Sequence, residues 1–371
     1  MSEYQYYEFQ AIDRPLTKAE QEMLRALSSR GRITATSFAN HYDWGDFKGD
    51  PGKLMEDCFD LHLYLANWGT RRLMMRVPKR LVDRHELDVF LDEVDWVEIW
   101  SKGAYTIIDI YRDEVEPDDD AWDVDVGWLA VLAPLRNDIV SGDLRLFYLL
   151  WLSAVGEGLL TDDTPESLPG IDPLTGSLEA VVAFFGIDRD LVAAAAASPY
   201  EEEPAPDAAR AVIAGLADDE KTDLLIRLME GDVHIGSELR RRARAQHMSG
   251  RRRRRTVGEL RLKAHEMRKA RKRAEAERLR AEERRKAEEA EQARRDRLDA
   301  LRRRGENVWR EVETEIGLRN AAGYDRAAAL LTDLKQLAAE DDTAAEFSSR
   351  IAAIRERHVR KVQFLKRLRG L

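Results

Sequence analysis

The sequence is poor in cysteine, because Cys58 is the only one in 371 residues. A single thiol excludes an intrachain disulfide framework and any zinc site built from several thiolates. The opening residues MSEYQYYEFQ have neither the basic start nor the apolar core of a signal peptide, and no stretch approaches about 18 uninterrupted apolar residues. The sequence therefore predicts a soluble protein of a reducing cytoplasm.

The motifs of the common enzyme mechanisms are missing as well. The chain contains no GxxxxGK[ST] loop, no GxGxxG after a strand, no HExxH and no GxSxG. Nucleotide hydrolysis and the commonest hydrolase mechanisms therefore have no support in the sequence. We expect a protein that is not an enzyme and that uses neither a cofactor nor a metal ion.

Charge is distributed unevenly along the chain, whose formal net charge is −10. Residues 1–237 carry 21 Lys and Arg against 47 Asp and Glu, whereas residues 238–371 carry 39 against 23. A molecule divided in this way can fold its basic tail over its own acidic body, or it can present the tail to a polyanion.

The change of sign falls at an arginine-rich stretch, residues 237–256, which we call the arginine segment. Consecutive arginines repel one another unless an anion lies among them, and arginine pairs bidentately with phosphate. Three interpretations stay open: a solvated hinge neutralised by the acidic half of the chain, a nucleic-acid contact, and a contact with acidic proteins. The candidate nucleic-acid-binding residues are Arg240, Arg241, Arg242, Arg244, Arg251, Arg252, Arg253, Arg254 and Arg255.

A long run of helix-forming residues follows, from Thr256 to Arg304. It contains no proline and no glycine after Gly258, and Glu recurs three and four residues from Lys or Arg. A seven-residue step is kept by Leu260, Met267, Ala274 and Ala281. Because alanine is small for a coiled-coil seam, the pattern predicts a single charge-stabilised helix of roughly 70 Å, or a weak coiled coil.

Residues 1–125 have the pattern of a mixed α and β domain. Thr17 and Glu20 form a capping-box pattern at the start of a helix. Alternating apolar residues predict two hairpins, one within residues 61–77 and one within residues 96–111. Four strands with two or three helices predict a small antiparallel sheet that is covered on one face.

The rest of the chain has helical patterns. Residues 126–236 predict a helical domain, whose most apolar stretch breaks near Ser141. Residues 237–304 predict the arginine-rich hinge and the long charged helix, and residues 305–371 predict a C-terminal helical hairpin or three-helix cap, interrupted at Gly323. The predicted fold class is α+β: a small antiparallel sheet domain with helices, followed by a helical domain, a long charged helix and a C-terminal helical hairpin.

One group of residues has the chemistry of a divalent-metal site, as a nuclease would need. It comprises His41, Asp43, Asp46 and Asp50, with His62 and His85 further along the chain. Aspartates beside glycine more often form turns and helix caps. We therefore assign the loop to turn structure, and we expect His62, in its alternating strand, to lie at the surface or at a sheet edge.

Four tryptophans lie on or beside the predicted strands and loops, namely Trp44, Trp68, Trp96 and Trp100. Basic residues follow Trp68, an arrangement that can support stacking on unpaired bases. Packing in the core of a small sheet explains most of these tryptophans more simply.

Two stretches resemble bacterial proteins. The runs YDRAAALLTDL (324–334) and RERHVRKVQFLKRL (355–368), with Phe347, resemble the C-terminal tail of some bacterial SWIM zinc-finger family proteins. The Cys-x-Cys and Cys-x-His zinc motif of that family is absent, so the resemblance implies a partner-docking tail and no zinc ligand. The opening YQYYEFQAIDRPLT (4–17) is similar to conserved bacterial proteins of no assigned function.

These observations favour a non-enzymatic adaptor or scaffold subunit of a bacterial multi-protein system. Its acidic body would dock a protein partner, and its basic helical arm would reach a polyanion or a second subunit, with no membrane as partner. The alternative is sequence-independent nucleic-acid binding, and a weaker alternative is a metal-dependent nuclease. The sequence leaves open the partner, the pathway, the oligomeric state, and whether the arm binds DNA, RNA or the acidic body of its own chain.

Overall fold

The computed structural model describes residues 4–43, 45–115, 127–197, 206–247 and 254–369. The chain forms two compact units, Met1–Arg271 and Lys272–Leu371. Each unit has a hydrophobic core of its own.

The first unit contains an antiparallel sheet. Its strands are β1 (Gln5–Gln10), β2 (Arg32–Ile33), β3 (Ser37–Tyr42), β4 (Leu61–Ala66), β5 (Arg71–Pro78), β6 (Val97–Lys102) and β7 (Tyr105–Arg112). In the part of the chain that the structure describes, these seven strands have the order β2-β3-β1-β4-β5-β7-β6. Helices follow the sheet along the chain, so the predicted α+β fold class is confirmed.

Both predicted hairpins are present, as the antiparallel pairs β4–β5 and β6–β7. The predicted capping box is present too: the backbone N–H of Glu20 donates to Thr17 Oγ1 at 3.3 Å, and that of Thr17 donates to Glu20 Oε2 at 2.6 Å. Strands β1, β2 and β3 were not predicted. Strand β1 lies inside the sheet, paired with β3 on one side and with β4 on the other.

The sheet is covered on both faces, so the prediction of one covered face is wrong. Side chains alternate along β4, and Leu61, Leu63 and Leu65 join a core formed with the later helices, which we call the helix-side core. Phe9 and Met74 contribute to a second core with residues from the first two helices, which we call the α1-side core. A strand buried on both faces is apolar at nearly every position, as LHLYLA in β4 is.

Eleven helices of the first unit lie wholly within the described ranges. They are α1 (Lys18–Leu27), α2 (Pro51–Asp57), α3 (Arg84–Leu91), α4 (Trp128–Leu132), α5 (Pro134–Val140), α6 (Arg145–Glu157), α7 (Gly176–Phe184), α8 (Arg189–Ala196), α9 (Pro206–Gly215), α10 (Asp218–Met229) and α11 (Ile235–His247). A 3₁₀ turn spans Lys79–Leu81. The predicted break near Ser141 is confirmed, because α5 ends before it and α6 begins after it.

The most apolar helices are packed inside the first unit. Every residue of α6 from Arg145 to Val155 is buried, mostly within the helix-side core. In the ranges that the structure describes, no single helix has the length and apolarity to span a membrane. Residues 128–140 and 145–157 reach that length and apolarity only as a pair, and they are bent by 107°.

The predicted long helix is α12 (Val257–Arg304), which spans 48 residues. Its first turns bury Val257, Leu260 and Ala264 in the helix-side core, with Met267 packed against that core. The later members of the seven-residue step, at positions 274 and 281, are exposed. The first two residues of the seven-residue step therefore pack on the helix-side core, and the last two face solvent.

The second unit contains the rest of α12 together with α13 (Glu306–Gly317), α14 (Ala321–Glu340), α15 (Ala344–Arg357) and α16 (Val362–Arg367). Its core includes Leu298 and Leu301 from α12, Val312 from α13, Leu331 from α14 and Phe347 from α15.

The predicted interruption at Gly323 is wrong, because this glycine lies inside α14. The break falls earlier, where the side chain of Asn320 caps α14 by accepting the Gly323 N–H at 2.7 Å. A Cβ at position 323 would lie 2.6 Å from the carbonyl oxygen of Glu315. The glycine therefore permits close approach of α13 and α14.

Candidate functional site

The last residue of the arginine run, Arg255, is anchored in the first unit. Its guanidinium binds the carboxylate of Glu166, with Nε–Oε2 at 2.8 Å and Nη2–Oε1 at 2.6 Å. It also donates to the backbone oxygens of Ala194 at 2.7 Å and Ala195 at 3.1 Å, at the end of α8. Glu166 is fully buried and accepts a further hydrogen bond from the hydroxyl of Tyr148. This arginine therefore has a structural role where it lies.

The start of α12 is fixed immediately after this anchor. Thr256 and Glu259 form a capping box, with Thr256 N–Glu259 Oε2 at 3.0 Å and Glu259 N–Thr256 Oγ1 at 3.3 Å. One turn later, Arg261 donates to the carbonyl oxygens of Val155 and Leu160, both at 3.0 Å through Nη2, and so caps the end of α6.

Two further arginines of α12 hold the N-terminal end of α8. Arg268 and Arg271 bind the carboxylate of Asp190, with Arg268 Nε–Oδ2 at 3.0 Å and Arg271 Nη2–Oδ2 at 2.8 Å. The hydrogen bond from Arg271 lowers the pKa of Asp190, against the opposing effect of its burial. The basic residues that begin the arm are therefore neutralised by carboxylates of the first unit.

Helix α11 carries the earlier arginines of the arginine segment. Arg242 pairs with Glu220, Arg244 lies 3.2 Å from Asp143, and Arg241 pairs with Glu86. Arg240 donates to the hydroxyls of Ser237 at 3.1 Å and of Ser141 at 3.4 Å. Three of the four arginines on α11 are therefore paired with carboxylates of the first unit, whereas Arg240 binds hydroxyl groups.

The remaining candidates differ in what surrounds them. Arg254 is exposed, and Arg251, Arg252 and Arg253 lie outside the described residues. In the parts of the chain that the structure describes, no carboxylate pairs with Arg254. Among the described candidates, Arg254 is therefore the one whose contact with a polyanion requires no carboxylate to be displaced.

Arg241 lines a cleft with residues that are far away in the sequence. The cleft has a volume of about 620 Å³, and its lining includes Lys79, Arg80, Arg84, His85, Trp100 and Arg241, a set that we call the basic cleft. Gly142 allows α11 to lie close by, because its φ is +80° and a Cβ there would be 3.1 Å from Arg241 Cγ. No sequence pattern indicates that these residues meet.

Most cations of the basic cleft already have partners. Arg80 pairs with Asp232 at 2.7 Å, and Arg84 with Asp88 at 2.7 Å. Lys79 is exposed and has no carboxylate partner in the described part of the chain. A phosphate entering the cleft would therefore bind Lys79 directly and would compete with carboxylates for the arginines.

The four tryptophans occupy different environments. Trp96 is partly buried, packs against Phe185 with ring centroids 5.8 Å apart and has Arg112 over its ring at 5.1 Å. Trp68 is exposed, Trp100 donates its indole N–H to Glu56 at 2.9 Å, and Trp44 lies outside the described residues. Only Trp100 of the three described ones stands beside the cations of the basic cleft.

Three of the candidate metal residues, His41, Asp43 and Asp46, line one cleft beside α1. His41 also stacks beside Tyr4, Asp46 accepts from Gln5 at 2.9 Å, and Asp50 instead caps α2. His85 is exposed on α3. Within the described ranges, no group of three or more His, Cys, Asp or Glu side chains is arranged to hold a metal ion.

His62 is buried at the centre of the sheet, so the expectation of a surface or edge position is wrong. Its ring stacks on Phe9 with centroids 3.9 Å apart, and its Nδ1 lies 3.0 Å from the carbonyl oxygen of Glu8. The unpredicted strand β1 provides both partners. Burial lowers the pKa of His62 to about 3, so the imidazole is neutral at physiological pH.

His62 should make the first unit sensitive to mild acid. The unfolded chain takes up a proton near pH 6.5 and the folded protein does not, so the free energy of unfolding falls as pH drops below that value, by about 1.4 kcal/mol per pH unit. Carboxylates contribute mainly below about pH 4. Urea unfolding of His62→Gln between pH 7 and 5 should show this slope removed. The exposed His85→Gln variant should keep it, and equal slopes in both variants would contradict the assignment.

A second buried ionic network joins the sheet to the helices. Asp60 is fully buried, and its Oδ1 accepts from Arg76 Nη2 at 2.8 Å while its Oδ2 accepts from the N–H groups of Ile12 at 2.6 Å and Asp13 at 2.9 Å. Arg136 of α5 reaches Asp13 at 2.7 Å and the carbonyl oxygen of Arg76 at 2.6 Å.

The network extends to the residue before α11. His234 Nε2 lies 3.3 Å from Asp13 Oδ2. Burial by itself would raise the pKa of Asp13, but hydrogen bonds from His234 and Arg136 hold it well below its usual value. The contact between Asp13 and His234 therefore links the sheet to the start of α11, the helix that carries four of the candidate arginines.

Sequence reasoning missed Glu86, Glu220, Asp143 and Glu166 as acidic partners, because each is remote along the chain from the arginine that it binds. One available signal was the Thr256–Glu259 capping box, which fixes the start of α12 next to Arg255. Another was the alternation in β1, where Tyr7 and Phe9 point to a strand. No protein-family model, curated protein or solved structure matches the chain.

Proposed function

We propose that the protein is a non-enzymatic adaptor or scaffold subunit of a bacterial multi-protein system. Its first unit docks a protein partner through an acidic surface, and its basic helical arm reaches a polyanion or a second subunit. The support is a difference between two groups of charged residues: those that form ion pairs within the first unit, and those of α12 that are exposed to solvent.

The observation that carries the proposal is the exposed middle of α12. Every residue from 272 to 290 is exposed, so this stretch contributes no side chain to a core. It carries seven Lys and Arg against six Glu, and ion pairs such as Arg285–Glu289 at 3.4 Å and Lys286–Glu282 at 2.8 Å support its helix. Burial does not explain why the chain maintains five turns of solvated helix here, whereas a contact with another molecule does.

The alternative, sequence-independent nucleic-acid binding, is favoured by the basic cleft. Lys79 and Arg241 lie there beside Trp100, which is the combination of cations and an aromatic face that binds single-stranded nucleic acid. The exposed Arg254 adds a cation in the arginine segment. This alternative requires phosphate to displace Glu86 and Asp232 from their arginines.

Affinity capture with the full-length chain as bait separates the two functions. We expect an adaptor to retain the same proteins, in fixed stoichiometry, whether or not the bacterial lysate is treated with nuclease. A nucleic-acid-binding protein would lose them after nuclease treatment, because nucleic acid would have bridged them.

A direct assay completes the test. If nucleic-acid binding is the main function, retention on single-stranded DNA should fall steeply with salt, and Lys79→Gln with Arg254→Gln should lower the log–log salt slope by about 1.4 to 2. The adaptor proposal is rejected if this dependence appears and nuclease abolishes capture.

A further inference from the structure

Helix α10 exposes an apolar surface that neither core of the first unit uses. Its members are Leu225, Ile226, Leu228 and Met229, whose exposed fractions are 61%, 50%, 55% and 88%. Single exposed apolar residues are common on soluble proteins, but four within two helical turns form a contiguous patch. We call these four residues the α10 patch.

The four side chains lie on one side of the helix. At 3.6 residues per turn, Leu228, Leu225, Met229 and Ile226 follow one another around an arc of about 160°. The opposite side faces α11: Leu224 is buried, Glu220 pairs with Arg242, and Arg227 Nη2 lies 2.8 Å from Glu238. Helix α10 therefore packs against α11 through the side that carries Leu224, Glu220 and Arg227. Its exposed apolar side faces away from α11.

A row of carboxylates follows one edge of the α10 patch. Asp219, Glu230 and Asp223 come next around the helix after Ile226, and all three are exposed. Asp218, whose side chain is fully exposed, lies at the N-terminal end of the α10 patch and pairs with Lys221 at 3.2 Å. An apolar stripe bordered by negative charge is complementary to a helix with an apolar stripe bordered by lysine or arginine.

We infer that the α10 patch docks a basic amphipathic helix of another protein. The partner's apolar side chains would cover Leu225 and Met229, and its cations would face Asp219, Asp223 and Glu230. A flexible methionine at the centre suits such a contact, because its side chain adapts to the partner's shape. The inference rests on the proposed function, which takes the partner to be a protein. It adds the docking surface on this chain and the chemistry of the partner's helix.

A second copy of this chain is the less favourable occupant of the same surface. In a symmetric dimer that pairs the two copies of α10 antiparallel, each patch would meet its own copy and the carboxylate rows would be brought close to each other. Like charges at an interface oppose association. Charge complementarity therefore selects a basic partner.

The probe that tests the inference is a fluorescein-labelled, 18-residue peptide of leucine and lysine arranged with the period of a helix, titrated with the full-length protein. Fluorescence anisotropy should show binding that weakens about tenfold or more in L225K/M229K, since central apolar residues contribute most to such contacts. The control V89K/L159K adds the same charge at two exposed apolar positions, 57% and 50% exposed, and should bind like the wild type.

Two further variations separate specific docking from general attraction. A peptide of the same composition in scrambled order should bind at least about tenfold more weakly, because it presents no apolar stripe. D219N/D223N/E230Q should weaken the ordered peptide and reduce the salt dependence of its binding. Far-UV circular dichroism should show all variants folded, because every substituted side chain is exposed.

The inference is overturned if L225K/M229K and V89K/L159K bind the ordered peptide equally, or if the scrambled peptide binds as well as the ordered one. It is also overturned if sedimentation shows a wild-type dimer that L225K/M229K converts to monomer, since a second copy would then occupy the patch. If these tests fail while nuclease-resistant capture persists, only the docking surface is wrong and the proposed adaptor function stands.

Discussion

Replacing Arg255 with leucine should lower the free energy of unfolding of the first unit by about 3–5 kcal/mol. The substitution leaves the carboxylate of Glu166 fully buried, and among the residues that the structure describes its remaining side-chain donor is the hydroxyl of Tyr148. It also removes two hydrogen bonds to the end of α8. An uncompensated buried charge accounts for most of the expected loss.

Tryptophan fluorescence during urea unfolding measures this effect, because seven of the eight tryptophans precede residue 272. The matched control is Arg254→Leu, which removes the neighbouring exposed arginine and should change the free energy by less than about 0.5 kcal/mol. Combining Arg255→Leu with Glu166→Met should restore part of the loss. Equal stability of the two single variants would show that the anchor is unimportant.

Replacing Asp60 with alanine should also lower the free energy of unfolding of the first unit by about 3–5 kcal/mol. Arg76, which is also buried, would lose its carboxylate partner, and the backbone N–H groups of Ile12 and Asp13 would lose their acceptor. A loss of this size is a large part of the stability of an ordinary domain, about 5–15 kcal/mol in total. We therefore expect the sheet of Asp60→Ala to be partly unfolded at 37 °C.

Thermal unfolding followed by circular dichroism tests this expectation, with Asp57→Ala as the control. Asp57 lies three residues earlier and is exposed, so its removal should shift the midpoint by at most a few degrees. A melting curve for Asp60→Ala that overlays the wild-type curve would contradict the structural role of the buried network.

Local signals predicted the local structure. The capping box at Thr17, the two hairpins and the proline-free run from Thr256 each depend on residues close together in sequence, and each is confirmed. The pairing of strand β1 with β3 and β4 joins residues 27 to 61 positions apart, from Gln10–Ser37 to Gln5–Ala66, and no local pattern reveals that pairing. The burial of His62 follows from β1 and was missed for the same reason.

The candidate site shows the same limit more clearly. The composition located an excess of arginine at residues 237–256, but it could not indicate which arginines would pair. Arg241 meets Glu86 across 155 positions, and Arg255 meets Glu166 across 89. The exposed middle of α12 was foreseeable, because its residues offer no apolar side.

The internal pairing of the arginines changes the electrostatic field that another molecule meets. An arginine bound to a carboxylate acts at a distance as a dipole, whose field falls off faster than that of a single charge. At physiological ionic strength, screening over about 8 Å weakens the dipoles further. A polyanion approaching α11 therefore senses much less attraction than four cations would exert, and the long-range attraction of this region comes from unpaired cations such as Arg254.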